Sequence, residues 1–263
     1  MITADLHVHT SFSTDSEESL DNAVNAAIAA GLKTLCITEH MDMDYPTGEF
    51  QLDTAAYREA LFSAKERYSD RIELLFGVEL GLMDYLAPRL YEFTKAFDFD
   101  FIIGSSHLVD GIDPYYPGYF DKLGDKEGIR RYFQSILDNI AAFDDFDVYG
   151  HLDYVVRYSG AKTYLPSEYS DMLDEILKKL ISMGKGIELN TAGLKYGLGW
   201  AHPHPEVLKR YRELGGEIIT VGSDGHKGEH IAYDFDKADE ILRSAGFTYR
   251  SVFRKRKAEF VRI

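Results

Sequence analysis

Two histidines one residue apart, His7 and His9, end the first apolar run of the chain, in "MITADLHVHTSFSTDS". Residues i and i+2 of a strand project to one face. The spacing therefore predicts two imidazoles side by side at the carboxyl end of a buried strand, with Asp5 on the same face below them. The theme recurs along the chain. His40 follows Glu39 at the end of "TLCITEH", Glu79 lies inside "LLFGVEL", and His107 ends "FIIGSSH". His151 ends "FDVYGH", and "VGSDGH" carries Asp224 and His226. Six of the nine histidines thus close apolar runs, a placement that chance explains poorly. Imidazole nitrogen with carboxylate oxygen, and no thiolate, is a donor set for zinc, iron or manganese, whereas calcium takes oxygen alone. A carboxylate such as Glu79 in an apolar strand is expensive unless it is paired or ligating. Glu39 is expected to orient a ligand histidine by hydrogen bonding. No G-x-S-x-G or similar nucleophile motif accompanies these residues, and water activated on divalent ions would need none.

The elements that must hold these residues alternate between strand and helix. A capping box, Thr14-Asp15-Ser16-Glu17, is expected to start the helix in "SLDNAVNAAIAAGL". Further helices are expected over about 53–68, 86–96, 126–143, 168–183, 205–214 and 236–245, each between apolar runs that read as strands. Seven strand–helix units in alternation imply a parallel sheet with right-handed crossovers. The pattern alone leaves open whether that sheet closes. The clustering of polar residues at strand ends favours a closed barrel, because such barrels carry their sites at that rim. The connection Leu108–Asp125 holds four aromatic residues and is long for a compact fold, as lids are. Asp42 and Asp44 could meet an ammonium group on a substrate. His202 and His204, in "WAHPHPEV", read as loop residues ahead of a helix.

Size and charge narrow the partners. A chain of 263 residues with 45% apolar residues is ordinary for one α/β barrel. The formal charge of −15 leaves no electrostatic footprint for nucleic acid or an anionic membrane. The one basic cluster, "FRKRKAEFVR", reads as a solvated terminal strand. No apolar run approaches the roughly 20 residues of a membrane span, and the start lacks a signal-peptide pattern. The single cysteine, Cys36, reads as a buried inert thiol, consistent with a cytoplasmic setting. No oligomeric state follows from the sequence.

The segments "DLHVHTSFSTDS", "ITEHMDMDYP", "GVELGL", "IGSSHLVDG", "YGHLDYVVRY", "IELNTAGLKYGL" and "TVGSDGHK" together resemble the PHP (polymerase and histidinol phosphatase) family. Within that family the chain resembles the histidinol-phosphate phosphatases, from about Ala4 to Lys227. The resemblance implies a distorted seven-stranded, TIM-like (β/α) barrel forming a single domain over 1–263, with two to three divalent transition metals (Zn, Fe or Mn). It implies that His7, His9, Glu79 and Asp224 hold a first ion, and that Glu79, His107 and His151 hold a second. His40, His226 and Asp15 would hold a third, although many relatives carry histidine where Asp15 stands. Glu79, Asp224 and His226 are the implied catalytic residues. Arg157 and Lys195 are the implied phosphate-binding residues, with arginine in many relatives at the place of Lys195 and with Asn190 positioning that loop. The implied reaction is hydrolysis of a small phosphomonoester, L-histidinol phosphate above all, by a hydroxide shared between two ions. Another small phosphomonoester is the alternative, and an amidohydrolase the more distant one.

Overall fold

The computed structural model describes residues 1–263. Its apolar runs form seven strands: β1 (Ala4–Val8), β2 (Thr34–Met41), β3 (Glu73–Gly81), β4 (Phe101–Ser105), β5 (Val148–Tyr149), β6 (Gly186–Asn190) and β7 (Ile219–Gly222). They pair in parallel and in chain order within one sheet. The helices between them are α1 (Leu20–Ala29), α2 (Thr54–Arg67), α3 (Ala87–Ala96), α4 (Gly118–Ala142), α5 (Ser170–Ser182), the single turn α6 (Ala192–Lys195) and α7 (Pro205–Glu213). After β7 come α8 (Phe235–Ser244) and an antiparallel hairpin, β8 (Tyr249–Arg254) with β9 (Lys257–Arg262). No helix is long and apolar enough to cross a membrane.

The barrel closes at β7 and β1, but by a single parallel bridge between Val8 and Gly225. His9 N donates to Gly225 O at 2.9 Å. Below the bridge a side chain does the work of a ladder. The Asp5 carboxylate accepts from Ser223 N (3.0 Å), Ser223 Oγ (2.6 Å) and Ala232 N (2.9 Å). This departs from the expectation that Asp5 shares a face with His7. The β1–β2 register slips between Asp5 and Val8, with one extra residue on β1. Such a bulge resets the alternation of side chains. Ala4 and Leu6 join the barrel's interior cluster, Asp5 points to the seam, and His7 turns back inward beside Leu6.

The interior is layered. At the amino-terminal end of the strands Ala4, Leu6, Cys36, Leu75, Phe101, Ile103 and Val148 pack with Val252 and Phe253 of β8. Phe253 stacks on Phe101 with ring centroids 5.1 Å apart, so the hairpin plugs that mouth. The larger apolar core lies between strands and helices. The basic terminal cluster is therefore not a solvated strand throughout. β8 is buried, and Arg254 and Arg256 are tied to Glu73, Glu259, Asp145 and Asp147 at the plugged end.

Local signals misplace two elements. The cap of α1 is Ser19, whose side chain accepts from Asn22 N, and Thr14 Oγ1 instead accepts from Phe50 N at 3.1 Å. Helix α4 starts at Gly118 rather than near Lys126, so half of the expected 108–125 loop is helical. Gly124, with φ of 71°, kinks it there, and that left-handed conformation hides the helix from a propensity reading.

Candidate metal centre

The open end of the barrel collects every residue that the strand-end pattern marks. Glu79, wholly buried on β3, is the hub. Its Oε2 lies 3.0 Å from His7 Nε2, 3.4 Å from His9 Nε2 and 3.1 Å from His40 Nδ1. Its Oε1 lies 2.9 Å from His151 Nε2 and 3.2 Å from His107 Nε2. Asp224 Oδ1 faces His9 Nε2 at 3.6 Å, His7 Nε2 at 3.8 Å and His226 Nδ1 at 3.5 Å. Asp15 Oδ2 sits 3.1 Å from His226 Nε2 and 3.6 Å from His40 Nε2. Asp224 adopts φ of 51°, a sparsely populated conformation for a non-glycine residue that recurs at functional sites.

Four of these imidazoles have their remote nitrogen tied from behind, which fixes the ring and leaves the other nitrogen for the centre. His7 Nδ1 lies 2.7 Å from Glu188 Oε1, and His107 Nδ1 lies 2.7 Å from Asp42 Oδ1. His226 Nδ1 lies 3.1 Å from the Asp224 carbonyl oxygen. His9 Nδ1 meets Ser13 Oγ at 3.3 Å, and Ser13 donates in turn to Glu39 at 2.5 Å. Glu39 thus acts through Ser13 and also accepts from Thr10 N and Oγ1. Burial lifts its carboxyl to about 7 in spite of those bonds.

Facing the centre, His9 Nε2, His40 Nδ1, His226 Nε2 and Asp42 Oδ2 are buried without a hydrogen-bond partner. Buried polar atoms are rarely left so. Burial alone would raise the Glu79 carboxyl, yet His7, His107 and His40 hold it well below its ordinary value. Asp224 is likewise held down, by His7 and His226 against burial. Burial and the neighbouring His40 and His226 push His9 well below its ordinary value, so it presents a free lone pair. Lone pairs and carboxylates converging in a buried pocket fit divalent cations. Four groups of ligand atoms lie within 4.8 Å of one another: His7–Glu79–His151, His7–His9–Asp224, His9–His40–His226 and His40–Asp42–His107.

Above this cluster opens a cavity of about 550 Å³ lined by the centre and by Tyr45, Glu49, Phe50, Asp113, Tyr115, Tyr116, Tyr154, Arg157, Tyr158, Tyr196, Lys227 and His230. Arg157 sits over the rings of Tyr154, Tyr158 and Tyr196, 4.3–4.8 Å from their centroids, and its Nε has no partner. Lys195 does not line this cavity. Its Nζ donates to the Asp224 carbonyl at 2.9 Å. The first part of the 108–125 segment does reach the mouth, through Asp113, Tyr115 and Tyr116.

Several residues take places other than those expected. Asp42 backs His107, and Asp44 is spent on Arg89 at the surface. His202 and His204 do lie in the loop ahead of α7, as expected, where His202 is fully buried against Asp153 and His204 caps α7 by accepting from Glu206 N. Asn190 Oδ1 accepts from Ala192 N, steadying the turn that carries Lys195. Glu188 was missed altogether, although a carboxylate inside "GIELN" carries the same signal as Glu79 in "FGVEL". It also accepts from His151 N at 3.0 Å. Gly222 makes room for it, since a Cβ there would fall 2.4 Å from both Glu188 Oε1 and His7 Cβ.

Comparison with known proteins follows the same lines. The PHP domain model matches residues 5–192. A probable histidinol-phosphatase of Clostridium acetobutylicum is 34% identical, the match covering 89% of this chain and 90% of that protein. The histidinol-phosphatase of Lactococcus lactis is 32% identical over 95% of this chain and 93% of its own. The crystal structure of the histidinol phosphate phosphatase of Lactococcus lactis, complexed with zinc, L-histidinol and phosphate, superposes with a TM-score of 0.91 at 31% identity over 98% of each chain. With its barrel, its strand-end ligand pattern and this family match in agreement, the chain belongs to the PHP domain family.

Proposed function

We propose that residues 1–263 form a single catalytic domain, a metal-dependent phosphomonoesterase whose substrate is L-histidinol phosphate. One observation carries the reading: free imidazole nitrogens converge on a bridging carboxylate, Glu79, in a cavity whose wall holds a guanidinium with no acidic partner. The donor set suits zinc, iron or manganese. His7, His9, Glu79 and Asp224 would hold one ion, Glu79, His107 and His151 a second, and His40, His226 and Asp15 a third. Divalent ions bound there supply Lewis acidity and lower the pKa of water for in-line attack at phosphorus.

The chain's own residues do the rest. Glu79 offers one oxygen to each half of the centre, and Asp224 and His226 face the open cavity, where the reaction takes place. Arg157 binds and orients the phosphate dianion with its planar fork, and the tyrosines around it exclude water. Lys195 steadies Asp224 through its carbonyl rather than meeting phosphate directly. No serine or cysteine lines the cavity, and water activated on divalent ions needs no side-chain nucleophile. The organic end of the substrate meets the aromatic and acidic wall of Tyr45, Asp113, Tyr115 and Tyr116. The formal charge of −15 supports a small-molecule substrate over nucleic acid. The buried thiol of Cys36 fits a cytoplasmic setting.

The test is phosphate release by zinc- or manganese-loaded protein from L-histidinol phosphate, sugar phosphates, tyrosine phosphate and a dinucleotide. Histidinol phosphate should lead by at least about tenfold in kcat/KM. Comparable rates on all monoesters would overturn the substrate while keeping the phosphatase. No release from any would overturn both.

A further inference from the structure

Beyond the proposed ligands, one buried Asp–His pair is unused by the chemistry above. Asp153 and His202 are both fully buried, 49 residues apart in the chain, with Asp153 Oδ1 in close contact with His202 Nδ1. Asp153 Oδ2 accepts from Tyr164 Oη at 2.9 Å and from His204 N at 2.8 Å. His202 is fixed in turn by its main chain, which pairs both ways with Asn190 at the end of β6, at 2.7 and 2.8 Å. Asn190 Nδ2 donates to Glu188 Oε2 at 3.1 Å. The ring is boxed in as well. A Cβ at Gly193 would fall 3.3 Å from its Cδ2 and would collide with the Trp200 carbonyl.

Asp153 lies two residues after His151 and four before Arg157. The turn between them is tightly wound, with Tyr154 N donating to His151 O at 2.7 Å and Val156 N to Asp153 O at 3.0 Å. Among residues 152–158 Asp153 is the one whose side chain hydrogen-bonds to another segment of the chain. Arg157 makes no ion pair; of the three rings that stack on it, Tyr154 and Tyr158 ride on the same turn and Tyr196 on the segment that follows β6. Its orientation therefore depends on how the turn is held against the end of β6. A buried polar pair of this kind is a weak source of stability compared with packed apolar side chains and is better suited to fixing one geometry.

We propose that Asp153 and His202 are a positioning pair, which locks the His151–Tyr158 turn against the end of β6 and so aims the Arg157 guanidinium into the metal-lined mouth. The inference rests on the phosphatase reading and assigns the pair no contact with substrate. It makes Arg157 a group with two levels of control: its own fork, and a hinge clamped on a different strand end.

The experiment uses the full, zinc-loaded chain with inorganic phosphate as probe. Four variants are compared with the parent: His202→Leu, His202→Asn, Arg157→Ala and the Arg157→Ala/His202→Leu double. Zinc content, thermal midpoint, calorimetric phosphate affinity, kcat and KM are read for each. His202→Leu should keep its zinc and weaken phosphate binding by about tenfold or more, with KM rising more than kcat falls. His202→Asn, which keeps a donor near the Nδ1 position, should recover to within about threefold of the parent. In the Arg157→Ala background His202→Leu should add nothing, because the two act as a unit. The proposal is overturned if folded His202→Leu binds phosphate as the parent does. It is overturned equally if asparagine fails to rescue, or if the loss persists undiminished without Arg157. Should His202→Leu not fold, Asp153→Asn carries the same expectation. If the parent itself binds and releases no phosphate, the phosphatase reading falls, an outcome distinct from failure of the clamp.

Discussion

The two mouths of the barrel are built from the same strands and solve opposite problems. At the amino-terminal mouth Leu75, Phe101 and Ile103 meet Val252 and Phe253, and Arg254 and Arg256 of the terminal hairpin find carboxylates. At the carboxyl-terminal mouth, four residues further along β3, Glu79 is surrounded by imidazoles, and the nitrogens that His9, His40 and His226 turn to the centre have no hydrogen-bond partner. A distance of about 13 Å along one strand separates the two regimes. One end is satisfied and closed. The other is left unsatisfied by its own side chains, and the difference marks where a ligand belongs.

The comparison is broken most severely at Glu79. Glu79→Gln keeps size but removes the charge shared by both halves of the centre, and turnover should fall by about 10³-fold or more. Phosphate release and bound metal by elemental analysis check it, and full metal content with unchanged turnover would dissolve the contrast. At the other mouth Phe253→Ala should cost about 3–5 kcal/mol of stability, read from denaturant unfolding, because it empties a packed layer. Its kcat in the folded state should stay within about twofold.

Smaller effects separate the orienting residues from the ligands. Glu188→Gln should weaken zinc affinity by about 10–100-fold without abolishing it, measured by competition with a chelator. A loss as large as that of Glu79→Gln would make Glu188 a ligand in its own right. The last prediction concerns protons. In the metal-free chain burial would lower His107, but the Asp42 and Glu79 carboxylates lift it from 6.5 to about 10. Its folded-state value exceeds its unfolded one, so this stabilisation is fully present below about pH 6.5 and is lost as pH rises through about 10. A divalent ion must displace the same proton, so zinc binding near neutral pH should release protons and tighten as pH rises. Calorimetry in two buffers of different ionisation enthalpy counts them, and a count of zero would remove this contribution.

The sequence made the strand ends readable because imidazoles and carboxylates interrupt otherwise apolar runs, as at His40, Glu79 and His151. Glu188 carries the same signal, since "GIELN" interrupts an apolar run in the same way. Asp5 was misread for a different reason. A bulge is a tertiary event between β1 and β2, and no local pattern in "ADLHV" announces an extra residue. The plug was hidden as well, because β8 is buried by a barrel end that only the closed sheet creates. Lys195 lies behind the mouth with one donor on the Asp224 carbonyl, a placement that charge alone does not announce.

The seam between β1 and β7 carries one main-chain bridge, with the Asp5 carboxylate bonding in place of further rungs. His7 and His9 stand on one lip of it, and Asp224 and His226 on the other. Any cation held between those lips would staple the first strand of the barrel to the last and close the longest loop in the sheet. Amide hydrogens along this join should then exchange with solvent far more slowly once ions are added.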